Sequence, residues 1–217
     1  MASDVQRSSG WARSAALLCA VVAVCALVLQ LVLVVQLLAN QGQGTGAAIW
    51  RYLGFFTILT NIGVAVVATA LALNGPAWLT GARIQLAVAT CIILVGLVYS
   101  IALRSTWQPT GLQAVADHLL HDATPPLFAV VWLLQPHGSL HWRDTFTAIL
   151  PALAYFAYAM VRGAVDGWYA YWFLDPAQLS VPKLIASIIG LTLGFAAMAM
   201  LLIALDRRLG QRFSRAR

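Results

Sequence analysis

Ionisable residues are scarce in this 217-residue chain, and three short stretches combine them with hydroxyl or amide side chains. The first is RYLGFFTILTN, Arg51 to Asn61, in which Thr57 and Asn61 stand four apart and share one face of a helix, with Thr60 nearby. The second, DHLLHDAT from Asp117 to Thr124, sets Asp117 and His121 at the same spacing and adds His118 and Asp122. The third is RGAVDGWYAYWFLD, Arg162 to Asp175. These residue types can do acyl-transfer chemistry. A threonine hydroxyl is a weak nucleophile until a base takes its proton, and a neutral histidine within ~3 Å can do so, with Asp117 or Asp122 orienting the imidazole. Asn61 could donate to a developing oxyanion, and Arg162 could hold a substrate carboxylate.

The elements that must position these residues are membrane helices. Of the chain, 61% is hydrophobic and 9% charged, whereas a soluble domain carries about 25% charged residues. Apolar runs of about the ~20 residues needed to cross a bilayer fall at 15–38, 53–73, 84–103, 115–134, 145–161 and 184–205, with glycine and proline in nearly every gap. The expected fold is all-α, a single polytopic domain over residues 1–217 with six transmembrane helices and a basic tail at 206–217. Arg7 and Arg13 precede the first run, but its 24 residues exceed the ~7–15 of a signal-peptide core, so it reads as a first span.

Six crossings put nine of the thirteen basic residues on one side, with both termini, Arg83 and Arg143. The positive-inside rule therefore predicts cytoplasmic termini in a multi-pass cell-membrane protein. The net charge of +6 is no sign of nucleic-acid binding, because five arginines crowd the last eleven positions, where they suit anionic inner-leaflet lipids. Trp50, Trp107, Trp168, Tyr169, Tyr171 and Trp172 fall at the opposite interface. The fourth run carries Asp117, His118, His121, Asp122, Pro125 and Pro126, which only a bundle interior would tolerate. All three polar stretches then open on the same membrane face, which predicts one shared, outward-facing polar pocket.

Other chemistries find less support. Cys19, Cys25 and Cys91 lie inside apolar runs without CxxC spacing, so neither a disulfide framework nor a zinc site is expected. His137 and His141 stand four apart in a loop broken by Gly138 with no acidic or cysteine partner evident nearby, a poor start for a metal site. Haem ligation wants histidines facing each other across helices, but His118 and His121 share one. No cofactor is expected.

FFTILTN (Phe55 to Asn61), LLHDATP (Leu119 to Pro125) and RGAVDGWYAYWFLD, in this order and spacing, resemble the bacterial Pr-six-Pr membrane proteins, which are related to the androgen-induced and FAR-seventeen-a membrane proteins of eukaryotes. The chain departs from the family's WYPYPF motif, with Ala170 and Trp172 at the proline positions, and Val131 precedes Trp132 where an aspartate often stands. The resemblance implies a six-helix fold and a hydrolase of fatty-acid esters of hydroxy fatty acids that uses a membrane-embedded threonine nucleophile and a histidine. His121 matches the histidine; Thr57 fits the nucleophile position best, Thr60 is the alternative, and one register puts Gly54 there. The competing reading is a non-enzymatic protein, a small transporter or structural partner, whose polar cluster binds a lipid headgroup.

Overall fold

A computed structural model describes residues Gly10 to Arg215, with side chains described as far as Gln211. The chain is helical, with no strand among the described residues: α1 (Gly10–Asn40), α2 (Thr45–Tyr52), α3 (Phe56–Ala72), α4 (Ala77–Thr80), α5 (Ala82–Val98), α6 (Gly111–His118), α7 (Thr124–Leu133), α8 (Asp144–Asp166) and α9 (Val181–Arg215). Single π-turns at Tyr99–Leu103 and Leu119–Ala123 extend α5 and join α6 to α7, and a short 3₁₀ turn spans Trp172–Leu174.

Four helical segments are long and apolar enough to cross a membrane: α1, α5 with its π-turn, α8 and α9. The pair α2 and α3 makes a fifth if taken as one span bent by 81°. The expected six spans are therefore resolved only as four or five. The run at 53–73 is broken because the helix stops at Tyr52 and restarts at Phe56. The run at 115–134 lies in the α6–α7 helix, whose Asp117, His118, His121 and Asp122 hold its apolarity below that of the others. Helices run on past the apolar stretches: α8 continues to Asp166, taking Arg162 inside the helix, and α9 carries the basic tail as helix to Arg215. Of the tail arginines, Arg217 lies outside the described residues, as does Arg7 at the other end, and Arg212 and Arg215 are described as backbone alone.

Lipid tails are as apolar as leucine, so helix association in a membrane rests on close packing, not on escape from water. α1 meets that demand with small residues. Ala12, Ala16, Cys19, Ala20, Ala23 and Ala26 are all buried, and several of them pack on Val64, Ala68 and Ala72 of α3. The other face of α1 turns Leu17, Leu18, Val21, Val24 and Val28 outward. α5 is the central post, touching α3, α7, α8 and α9.

Two local irregularities set the site. At the elbow between α2 and α3, the carbonyls of Leu53 and Gly54 leave the helical ladder and accept hydroxyls of Tyr158 (3.3 Å) and Tyr155 (2.9 Å) from α8. A Cβ on Gly54 would collide with the Arg162 guanidinium and the Trp168 ring, so glycine is required where these elements close on the elbow. In the α6–α7 helix, Pro125 and Pro126 bring no N–H to the carbonyls of His121 and Asp122, and the ladder widens into a π-turn. The Thr124 hydroxyl donates five residues back to the Leu119 carbonyl at 2.8 Å.

Candidate functional site

His121 lies inside that π-turn. Its Nδ1 is 3.0 Å from the Asp117 carbonyl oxygen and 3.3 Å from the Asp117 carboxylate, both acceptors, so the network assigns the proton to Nδ1 and leaves Nε2 an acceptor. The ring stacks on Tyr99 at 3.9 Å between centroids and 13° between planes, and the Tyr99 hydroxyl donates to the same Asp117 carboxylate. Imidazole orientation is thereby fixed on two sides. Gly96 lets α5 approach: a Cβ there would stand 3.2 Å from the His121 carbonyl oxygen and from Pro125.

Thr57 occupies the first turn of α3, four residues after Leu53. A threonine inside a membrane helix commonly bonds its own i−4 carbonyl, as Thr192 does to Ile188 at 2.7 Å. The elbow removes that option, since Leu53 is outside the helix and its carbonyl is taken by Tyr158. The hydroxyl of Thr57 turns instead to His121, with Oγ1 3.3 Å from Nε2. α3 has no side-chain cap, and in its first turn the Thr57 N–H donates to the Tyr171 hydroxyl at 3.3 Å. The Tyr171 oxygen is also 3.4 Å from Thr57 Oγ1. Burial pushes the Tyr171 phenol up from its ordinary pKa, so it keeps its hydrogen.

These groups border a cavity of about 350 Å³ between α1, α2, α3, α5, α6 and the segment after α8. Thr57, Tyr99, Asp117, His121 and Tyr171 line it, with Val34, Phe55, Ile58 and Leu120 giving apolar wall. A narrower apolar crevice of about 40 Å³ adjoins the same Thr57, Tyr99 and Tyr171, walled by Leu94, Phe156 and Phe195 among others.

The remaining candidates divide. Thr60 is buried and borders a separate groove with Phe56, Gly63, Cys91 and Pro151, away from His121. The Asn61 amide spends its two N–H groups on the carbonyls of Thr57 (2.8 Å) and Leu120 (3.4 Å), so it ties α3 to the π-turn and has no donor for an oxyanion. Asp122 bonds Arg104 and His118, the latter at 2.6 Å, and does not orient His121. Arg162 does not border the cavity; it pairs with Asp166 at 3.2 Å and sits over Trp50 at 4.3 Å and Trp168 at 5.2 Å. Its cation is held by rings and a carboxylate at the elbow. The segment after α8 does cover the cavity, through Ala170, Tyr171 and Trp172.

Tyr99 and Tyr171 went unnoticed as site residues. Tyr99 sits at the end of an apolar run with nothing to distinguish it, and Tyr171 lies in an aromatic run that reads as an interfacial belt. His137 and His141 have acidic partners after all: Asp206 at 3.1 Å and Asp144 at 3.9 Å. Among the described residues, no group of three or more histidine, cysteine or acidic side chains is arranged to hold a metal ion.

No family model, curated protein or solved structure matches the chain.

Proposed function

We propose that this chain is a membrane-embedded lipid-ester hydrolase with Thr57 as nucleophile and His121 as base. The observation that carries the reading is the contact of Thr57 Oγ1 with His121 Nε2 at 3.3 Å, on an imidazole whose Nδ1 is held by Asp117, at the wall of a largely apolar cavity. His121 takes the hydroxyl proton as Thr57 Oγ1 bonds to the ester carbonyl carbon, and the carbonyl oxygen becomes an oxyanion. Tyr171 donates to that oxyanion. Collapse expels the alcohol, which takes the proton from His121, and leaves an acyl-threonine. Water, deprotonated by the same histidine, then releases the fatty acid and restores Thr57.

The resemblance to the Pr-six-Pr proteins and their eukaryotic relatives supports the same pair and implies fatty-acid esters of hydroxy fatty acids. Their free carboxylate, however, meets no lysine or arginine among the described residues that line the cavity, so uncharged long-chain esters are the first substrates to offer. The membrane arrangement we propose has six crossings with cytoplasmic termini, the bent α2–α3 pair and the α6–α7 helix completing the count. In its favour, Asp117 and Thr124 are buried within the protein, where an intramembrane polar residue belongs. Arg207 and Arg208 would then meet anionic inner-leaflet lipids. Accessibility reporters on both termini should read the cytoplasmic side.

A fluorophosphonate probe tests the chemistry. The purified protein should gain a covalent adduct on Thr57 that is lost in Thr57→Ala and strongly reduced in His121→Ala. Labelling that survives in Thr57→Ala, or none in the wild type alongside no ester turnover, would sink the reading in favour of a lipid-headgroup binder.

A further inference from the structure

The cavity beside Thr57 and His121 has a second polar feature, on α1 and α6. Gln30 of α1 and Gln113 of α6 both line it, and their side-chain amides are hydrogen-bonded to each other at 2.8 Å. One bond between two carboxamides uses one donor and one acceptor. Whichever way each amide is turned, the pair keeps an N–H group and a carbonyl oxygen with no second partner on two residues that line the cavity, and no other hydrogen bond to either side chain is seen among the described residues. A group that accepts one hydrogen bond and donates another satisfies both at once, and a hydroxyl is the smallest such group. A carboxylate accepts only, and would face the free carbonyl with like partial charge.

The rest of the wall argues the same way. Among the described residues no lysine or arginine lines the cavity, and its one carboxylate is Asp117. Arg104, nearby in sequence, is not part of the lining and is committed to Asp122. An anion placed here would be taken from water without a counter-charge, which costs several kcal/mol. Gln113 precedes His121 by eight residues on one continuous helical path, a separation of about 12 Å at ~1.5 Å per residue, or roughly nine or ten carbon–carbon bonds of extended chain.

Resting on the hydrolase reading, we infer that Gln30 and Gln113 form a hydroxyl-recognising subsite, and that the substrate is an uncharged lipid ester carrying a hydroxyl roughly nine or ten bonds from its scissile ester. The pair does double duty, since it also joins α1 to α6 across the cavity.

The test uses the purified full chain in detergent and three long-chain esters that differ only at that remote carbon, which bears a hydroxyl, a methyl or a carboxylate. Wild type should hydrolyse the hydroxyl ester with kcat/KM about tenfold above the methyl ester, the worth of one well-made hydrogen-bonding contact, with the carboxylate ester poorest. In Gln113→Leu and in Gln30→Leu the hydroxyl-to-methyl ratio should fall to near one. Non-hydrolysable ether analogues of the same three lipids give the ranking by binding alone, so the subsite is tested even where no ester turns over. A wild-type ratio near one, a preference for the carboxylate in either assay, or a ratio that persists in both variants overturns the subsite. Failure of turnover with the ether ranking intact would overturn the hydrolase reading and leave the subsite standing.

Discussion

His121 and His137 each lie within 3.3 Å of an aspartate, Asp117 and Asp206, and their surroundings differ in one decisive respect. At His137 both ring nitrogens are occupied: Nδ1 faces Asp206 at 3.1 Å and Nε2 faces the Leu133 carbonyl at 3.1 Å. The second Asp206 oxygen accepts the Leu140 N–H at 3.0 Å, and Trp132 packs on the ring edge. That pair closes the loop between α7 and α8 onto α9. At His121 the Nε2 is left to a hydroxyl and a cavity. A histidine–aspartate pair is therefore a latch or a base according to what its second nitrogen meets.

The comparison is broken most directly by removing each imidazole. His121→Ala should lower kcat/KM for a long-chain ester on the order of 10⁴-fold or more, as loss of a general base does in a concerted site. His137→Ala should retain kcat per folded molecule and lose about 3–5 kcal/mol of stability, because Asp206 is left buried without its partner. Thermal unfolding in detergent alongside ester kinetics separates the two. Equal effects on activity would erase the distinction.

A smaller effect is expected from Tyr171→Phe, which removes the hydroxyl beside Thr57 and keeps the ring. It should reduce kcat about 10²–10³-fold with little change in KM, the signature of a donor that acts mainly on the transition state. A rise in KM with kcat intact would make Tyr171 a wall of the cavity and nothing more.

The smallest should be Asp117→Asn. In a serine-protease triad the equivalent change costs ~10⁴-fold because the histidine adopts the wrong tautomer. Here the Asp117 backbone carbonyl still accepts from Nδ1 at 3.0 Å, so the loss in kcat should fall well short of that. A loss as large as the triad's would show that the carboxylate alone sets the tautomer.

Composition made the helical membrane character legible, since 61% hydrophobic residues with 9% charge leave long apolar runs and little that could face water. The four-residue spacings also survived into structure: the Asn61 amide donates to Thr57, and the His121 ring lies against Asp117. Hydropathy was less informative about where helices bend, because LGFF reads as apolar while the chain leaves the helix there. It also misplaced the partners of Asn61, Asp122 and Arg162, all of which could be assigned to the pocket by depth in the membrane alone.

What the sequence by itself determined is the helical, apolar character of the chain and which short stretches carry its polar residues, because periodicity and hydropathy are local properties of the chain. Which hydroxyl meets the histidine was decided by tertiary structure. Tyr155 and Tyr158 draw the elbow carbonyls to α8, the prolines of α7 open the π-turn around His121, and the segment after α8 lays Tyr171 across the start of α3. Thr57 and Thr60 are both buried threonines on one helix, three residues apart. Only the packing of three other segments turns the first toward an imidazole and the second toward a separate groove.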